Sequence, residues 1–204
     1  MFNVNANLFR ACALFQITKA THYYLAGVHI ESCPMGGAIL VATDGHRALV
    51  AHDPDGSTDG EYIVSLDKAA LAACKADRHE ISDRRVTSTD AKSPAWVTDA
   101  AGEQLHMVKK WLVEGQFPDW RRVLPRSDAT AGFTAYDSAL LASFNTAAHI
   151  LSDNKTTAIS LAGSATNGPA LVKFASTDAV FGVLMPVRWN TDPTSMPDWM
   201  NTKA

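Results

Sequence analysis

Apolar and polar positions fall into three blocks along the chain, and each block opens in the same way. Phe2-Asn3-Val4-Asn5, Tyr62-Ile63-Val64-Ser65 and Phe133-Thr134-Ala135-Tyr136-Asp137 are strand-like runs that close on a residue able to cap a helix. Behind each comes an apolar pattern of helical period, from Leu8 to Phe15, from Lys68 to Lys75 and from Leu140 to Ala148. Their content of small residues favours close helix packing. The pattern then returns to strand-like stretches broken by turns, from Gly27 to Val50, from Glu80 to Val108 and from Thr157 to Val187. The unit is strand, helix, strands. A repeat spacing of about 60 to 70 residues is too long for a solenoid and suits a pseudo-symmetric α+β domain of paired units.

Within the first block, Ala38-Ile39-Leu40-Val41 and Ala48-Leu49-Val50-Ala51 flank a polar centre, Thr43-Asp44-Gly45-His46-Arg47. Its Asp-Gly pair is a two-residue hairpin signal, which places the polar centre at a sheet rim. Asp44, His46 and Arg47 could form a catalytic trio. A tight turn with an Asx bond and a solvated Arg accounts for the same three residues.

With 204 residues, 47% hydrophobic and 19% charged, the chain can bury one sizeable core or two small ones. No apolar run approaches the roughly 18 residues of a membrane span, and Met1-Phe2-Asn3-Val4-Asn5 lacks the regions of a signal peptide, so a cytoplasmic location is expected. Cys12, Cys33 and Cys74 have neither an even number nor a Cys-x-x-Cys spacing and read as reduced thiols. A formal net charge of -3 argues against a surface that is basic everywhere but permits cations concentrated on one face.

Three chemical motifs can be tested and set aside. The acidic, Gly-rich loop from Asp53 to Glu61 fails as a calcium loop because, counting from Asp55, Leu66 stands where a bidentate Glu is needed; it reads as a plain linker. Gly163-Ser164-Ala165-Thr166-Asn167-Gly168 has the glycine spacing of a phosphate loop, but Pro169 replaces the Lys, and a hairpin turn is expected there. No Gly-x-Ser-x-Gly or His-Glu-x-x-His occurs, so neither an enzyme nor a cofactor or metal site is expected. From Lys109 to Arg126 the character changes, since Lys109, Lys110, Arg121, Arg122 and Arg126 are interleaved with Trp111, Phe117 and Trp120. Such interleaving suits a nucleic acid or a peptide partner, although Trp111 and Phe117 also read as core anchors of a connector.

Tyr23-Tyr24-Leu25-Ala26-Gly27 followed by Ala42-Thr43-Asp44-Gly45-His46-Arg47 resembles the middle domain of the bacterial DNA polymerase III beta sliding clamp family. Glu114 to Pro125 is similar to that family's linker into its last domain, and Val183-Leu184-Met185-Pro186-Val187-Arg188 to its C-terminal strand. The resemblance implies a DNA-clamp fold: repeated units, antiparallel sheets, and helices on one face toward duplex DNA. It implies a first domain of two units over 1–116 and a linker with a single unit over 117–190, the family's first domain being absent; residues 191–204, with Pro193, Pro197 and few apolar positions, read as a poorly ordered tail. An unpaired unit would leave a helix face and a sheet edge uncovered, so a homo-oligomer is expected, with the unit at 129–188 at the contact. The face offered is the stripe of Leu141, Phe144 and Ala148 beside Leu140 and Ala147.

Function follows from the resemblance as a non-enzymatic clamp that embraces DNA and recruits polymerase or repair proteins by short linear motifs; the alternative is an adaptor or decoy that binds such motifs without encircling DNA. Weak, sequence-independent phosphate contacts would come from Arg10, Lys19, Lys68, Lys75 and Arg78, with Tyr23 and Tyr24 beside them. Lys68 and Lys75, seven apart, would share a helix face. The peptide groove would be lined by His22, Leu25, Thr43, Gly45, His46, Arg47, Pro118, Arg122, Val123, Val183, Leu184, Met185 and Pro186. His22 stands where the family commonly has Arg, and Ala48 where it commonly has Leu.

Overall fold

Helix starts are set by the caps the sequence supplies. Asn5 accepts from the backbone N–H groups of Asn7 and Leu8, Asp67 from Ala70, and Asp137 from Ala139 and Leu140. They open α1 (Ala6–Ala13), α2 (Lys68–Ala73) and α3 (Ser138–Leu151). The computed structural model describes residues 1–17, 20–75, 84–109, 111–125, 134–152, 157–163 and 168–188. Among these, no helix is long and apolar enough to cross a membrane.

The strands are β1 (Phe2–Asn5), β2 (Val28–Ser32), β3 (Ala38–Thr43), β4 (Arg47–Asp53), β5 (Ser57–Thr58), β6 (Tyr62–Val64), β7 (Arg85–Ser88), β8 (Ala95–Thr98), β9 (Gln104–Val108), β10 (Ile159–Gly163), β11 (Ala170–Phe174) and β12 (Thr177–Leu184). They form two antiparallel sheets, β5-β1-β7-β8-β9 and β10-β11-β12-β4-β3-β2-β6. The first two units exchange their opening strands: β1 pairs with β7 of the second unit, and β6 pairs with β2 of the first. Asp53 fastens this exchange. Its buried carboxylate accepts from the Asn5 N–H at 2.7 Å and meets the Arg85 guanidinium at 3.1 Å. The 53–61 loop is therefore more than a linker, because it also supplies β5 to the edge of β1.

The third unit joins differently. β12 pairs with β4, Val183 opposite Ala48 and Phe181 opposite Val50, so one sheet runs on through both. The opening run of this unit shrinks to a single bridge between Ala135 and Val187, Phe133 lying outside the described residues. A crossing strand needs a free edge in a partner unit, and β2 already holds β6 on one side and β3 on the other.

The apolar stripe of α3 is not left for a second copy. Phe144, Ala147 and Ala148 are buried in the main core, and Phe144 meets Phe15, just beyond α1, with ring centroids 4.9 Å apart. This corrects the expected docking face: α1 and β12 of the same chain supply the apolar cover that the sequence pattern assigned to another copy. Burial also raises the thiols of Cys12 and Cys74, the latter to about 12, which leaves both inert as nucleophiles.

Two local expectations change as well. α2 ends at Ala73, so Lys75 lies beyond it and does not share a helix face with Lys68. The β3–β4 connection is Asp44–His46, three residues rather than two, with Gly45 at φ +89°. Asp44 Oδ1 accepts from the backbone N–H of both His46 and Arg47, and this Asx bond selects the longer loop. The expected turn at 163–168 has β10 and β11 as its antiparallel arms, while residues 164–167 are outside the described set.

Candidate peptide-binding groove

Strand alternation places His29, Val41, Val50 and Phe181 in one row on the face of the seven-stranded sheet opposite the helices. The segment after β9 crosses this face. Trp111 anchors its start in the main core, edge-on to Phe2 at 5.3 Å with Nε1 donating to the Ser93 carbonyl. Phe117 stacks on the His29 ring at 4.7 Å, and Trp120 packs on Val41 and Val50 with Phe181 beside it. Asp119 caps the short 3-10 helix Trp120–Val123 by accepting from the Arg121 N–H.

Between this crossing segment, the β3–β4 turn and the end of β12 lies an apolar-walled cavity of about 170 Å³. From the expected groove set it gathers Leu25, Thr43, Gly45, Arg47, Pro118, Val123, Val183 and Met185. The Met185 N–H donates to the His46 carbonyl at 2.9 Å and ties the terminal strand to the turn. Arg47 is not solvated as the sequence suggested. Its Nε meets Asp44 Oδ2 at 3.0 Å, its guanidinium sits 5.1 Å over the Phe15 ring, and Nη2 reaches the Leu14 carbonyl. Asp44 is thereby committed to the turn and to Arg47.

Other expected lining residues sit elsewhere. Leu184 points the opposite way from Val183 and is fully buried in the main core, as alternation along β12 requires. His46 and Arg122 are exposed outside the cavity, Pro186 is half-buried beyond Met185, and exposed His22 accompanies Tyr24, whose hydroxyl is 3.2 Å from its Nδ1. Asp119 and Trp120 line the cavity and were missed. For Asp119 a signal was present, since it is a cap residue after a proline.

On the helical side, Arg10 is half-buried on α1, and its charge acts on Cys74, the neighbour of exposed Lys75. Lys68 is exposed at the start of α2. Tyr23 and Tyr24 lie on the short 3-10 helix Ala20–Leu25, against Gly115 of the crossing segment rather than on α1 or α2, and Lys19 and Arg78 are outside the described residues.

The crossing segment is held at its outer side by charge. Glu31 lies between His29 Nε2, 3.2 Å away, and the Arg121 guanidinium, which also covers the Trp120 ring at 4.2 Å. Burial alone would raise the Glu31 carboxyl, but hydrogen bonds and charge from His29 and Arg121 outweigh it and hold it at about 2, against an ordinary 4.5. A depressed carboxyl stabilises the fold above its ordinary value, and that contribution is lost as pH falls from about 4.5 toward 2. Melting temperatures measured across this window will fall less steeply for Glu31→Gln than for the parent chain. Parallel acid limbs would remove Glu31 from the account.

No protein-family model matches the chain. Over 118 residues, 55% of this chain and 30% of the relative, it is 30% identical to the beta sliding clamp of Caulobacter vibrioides. In structure it is similar to a DnaN sliding clamp from Bartonella birtlesii bound to griselimycin, with a TM-score of 0.61, 18% identity, and 92% of this chain matched to 65% of that one. The Helicobacter pylori beta clamp bound to a DNA ligase peptide gives a TM-score of 0.58 at 14% identity, with 92% and 66% covered. The chain thus spans 30% of the curated relative and just under two thirds of the Bartonella chain. Its fold is the DNA-clamp fold, and its resemblance to the beta sliding clamp family extends over more than half of its sequence.

Proposed function

We propose that this chain, a relative of the bacterial beta sliding clamps with their fold, is a clamp-like processivity and recruitment factor that captures short linear motifs of replication or repair proteins in the groove. The observation that carries this reading is the convergence of four separated segments on one apolar cavity: Leu25, the β3–β4 turn, the strap after Pro118, and the end of β12. Apolar walls with few polar groups are the lining that small hydrophobic anchors need. The test is calorimetric titration with a DNA ligase peptide of the kind bound to the Helicobacter pylori clamp. Binding in the micromolar range supports the reading, and no heat at several hundred micromolar removes it.

Duplex DNA is the second partner, held weakly and without sequence preference by Arg10, Lys68 and Lys75 on the helical side, and by Lys19 and Arg78. Lys68→Gln with Lys75→Gln will lower the slope of log affinity against log salt by about 2, since each lost phosphate contact removes about 0.9. A strong preference for one duplex sequence would speak for base readout and against a clamp.

Copies of the chain assemble through sheet edges rather than through α3. Among the described residues, β9, with Leu105 and Met107 exposed, and β10, with Leu161 exposed, are outer strands, and such an edge pairs readily with another chain. A light-scattering mass of one chain at tens of micromolar would refute this.

A further inference from the structure

Past Val113, whose N–H donates to the Ile63 carbonyl, the crossing segment leaves its backbone ties to the sheet behind. The bonds of its 3-10 turn are internal, from the N–H groups of Arg121 and Arg122 to Asp119 and from that of Leu124 to the Arg121 carbonyl. Among the described residues, the one hydrogen bond that joins 114–124 to the rest of the chain runs from the Arg121 guanidinium to Glu31.

Packing holds the remainder lightly. Trp120 is seated with Val41 and Val50 in a small apolar cluster separate from the main core. Under the first half of the segment the packing is incomplete, since a cavity of about 490 Å³ is lined both by residues 112–117 and by His29, Tyr62 and Ile63 of the sheet. Arg121 is placed to compensate. Its guanidinium covers the Trp120 ring at 4.2 Å and reaches Glu31 on β2, whose carboxylate is also 3.2 Å from His29 Nε2. The Glu31 side chain is 12% exposed against 48% for Arg121, so the carboxylate is the fixed end and the guanidinium the end that docks. The ring that Arg121 covers is a wall of the peptide groove, together with Pro118, Asp119 and Val123 of the same segment.

We propose that the Glu31–Arg121 pair is a latch that positions this wall: two side chains outside the cavity hold Trp120 and its neighbours against the sheet and thereby set the affinity of the groove for its motif. Resting on the peptide-binding reading above, this makes Glu31 and Arg121 positioning residues. A site whose competent form is populated only in part binds more weakly by that fraction, so freeing the segment weakens the peptide without removing any group that lines the cavity.

The Trp120 indole N–H gives a readout that needs no peptide. It is buried and has no hydrogen-bond partner among the described residues, so it exchanges with water when the ring lifts. The Trp111 N–H, bonded to the Ser93 carbonyl, reports on the body of the fold in the same NMR spectrum. Glu31→Gln and Arg121→Gln should each speed Trp120 exchange about fivefold and leave Trp111 exchange at the parent rate. Each should weaken the DNA ligase peptide about fivefold by calorimetry, and the double variant should bind no more weakly than either, because both changes open one latch. Arg121→Lys, which keeps the charge, should stay within about twofold of the parent. Trp120 exchange unchanged in both variants, equal gains at Trp111, or losses that multiply in the double variant would overturn the proposal. So would parent-like binding by Glu31→Gln beside a loss for Arg121→Gln, since that pattern makes Arg121 a direct contact of the peptide. If the parent itself binds no peptide, the groove reading fails, and Trp120 exchange still decides whether the pair holds the segment.

Discussion

Met185→Asp will lower the affinity for the ligase peptide at least about a hundredfold, roughly 2.7 kcal/mol, while the melting temperature stays within a few degrees of the parent. Met185 is half-buried on the groove wall and belongs to neither buried core cluster. Its structural tie is the backbone hydrogen bond to His46, which any residue with an N–H can make. A carboxylate there must lose water when an apolar anchor arrives, at a cost of a few kcal/mol. It can also pair with Arg47 on the same wall and close the cavity from within, to the same effect. Met185→Leu, which conserves volume and polarity, should stay within about threefold of the parent. Calorimetry on the three proteins decides the matter. Parent-like binding by Met185→Asp would move the peptide site elsewhere, and a fall for Met185→Leu as large as for Met185→Asp would point to a structural cause.

The strand-helix-strands unit was readable in the sequence because its signals are local. Asn5 and Asp137 close their runs and do cap the helices that follow, whereas in the second unit the cap is Asp67, two residues beyond the Ser65 that the sequence pattern offered. The exchange of β1 and β6 between units was not readable, since it depends on which sheet edge is free, and that is a property of the assembled fold. Asp53 shows the difference. In the sequence it is one of several acidic residues in a loop, and only the fold brings Asn5 and Arg85 to it from 48 residues before and 32 residues after. The α3 stripe is a related case: periodicity showed an apolar face but carried no information about whether α1 or another chain would cover it.

The segments that resemblance named meet at one cavity, and alternation sorts their side chains. Val183 and Leu184 are neighbours in sequence, yet one lines the cavity and the other the core. Arg47 was read as solvated because its partners are distant: Phe15 and Leu14 lie more than 30 residues earlier. Trp120 was hidden by a rich local context of bases and aromatics, in which nothing marked it as wall rather than anchor.

Gly182→Ala will destabilise the chain by about 3 kcal/mol, at the upper end of the range for an overpacked core. For a chain of this size that corresponds to a fall in melting temperature of about 6 to 12 °C. Gly182 sits on β12 opposite Leu49, on the inner face where α3 packs. A Cβ added there would lie 2.2 Å from Cε1 of Phe144, far inside contact distance. Phe144 is fully buried, with the Phe15 ring 4.9 Å away on one contact and Phe174 6.4 Å away on another, so its ring has no space to turn into. The strain must be relieved by moving α3 off β12. That motion disturbs the strand that carries Val183 and Met185 into the groove, so peptide affinity should fall with stability, although neither Gly182 nor Phe144 lines the cavity. Phe144→Leu alone leaves a void and also destabilises, but combined with Gly182→Ala it makes room for the new methyl group. The double variant should therefore be more stable than the sum of the two single losses by at least about 1 kcal/mol, a coupling expected only of residues in contact. Denaturant titration of the four proteins measures it. Strict additivity, or a Gly182→Ala variant that melts with the parent, would mean that α3 does not pack on β12 through this contact.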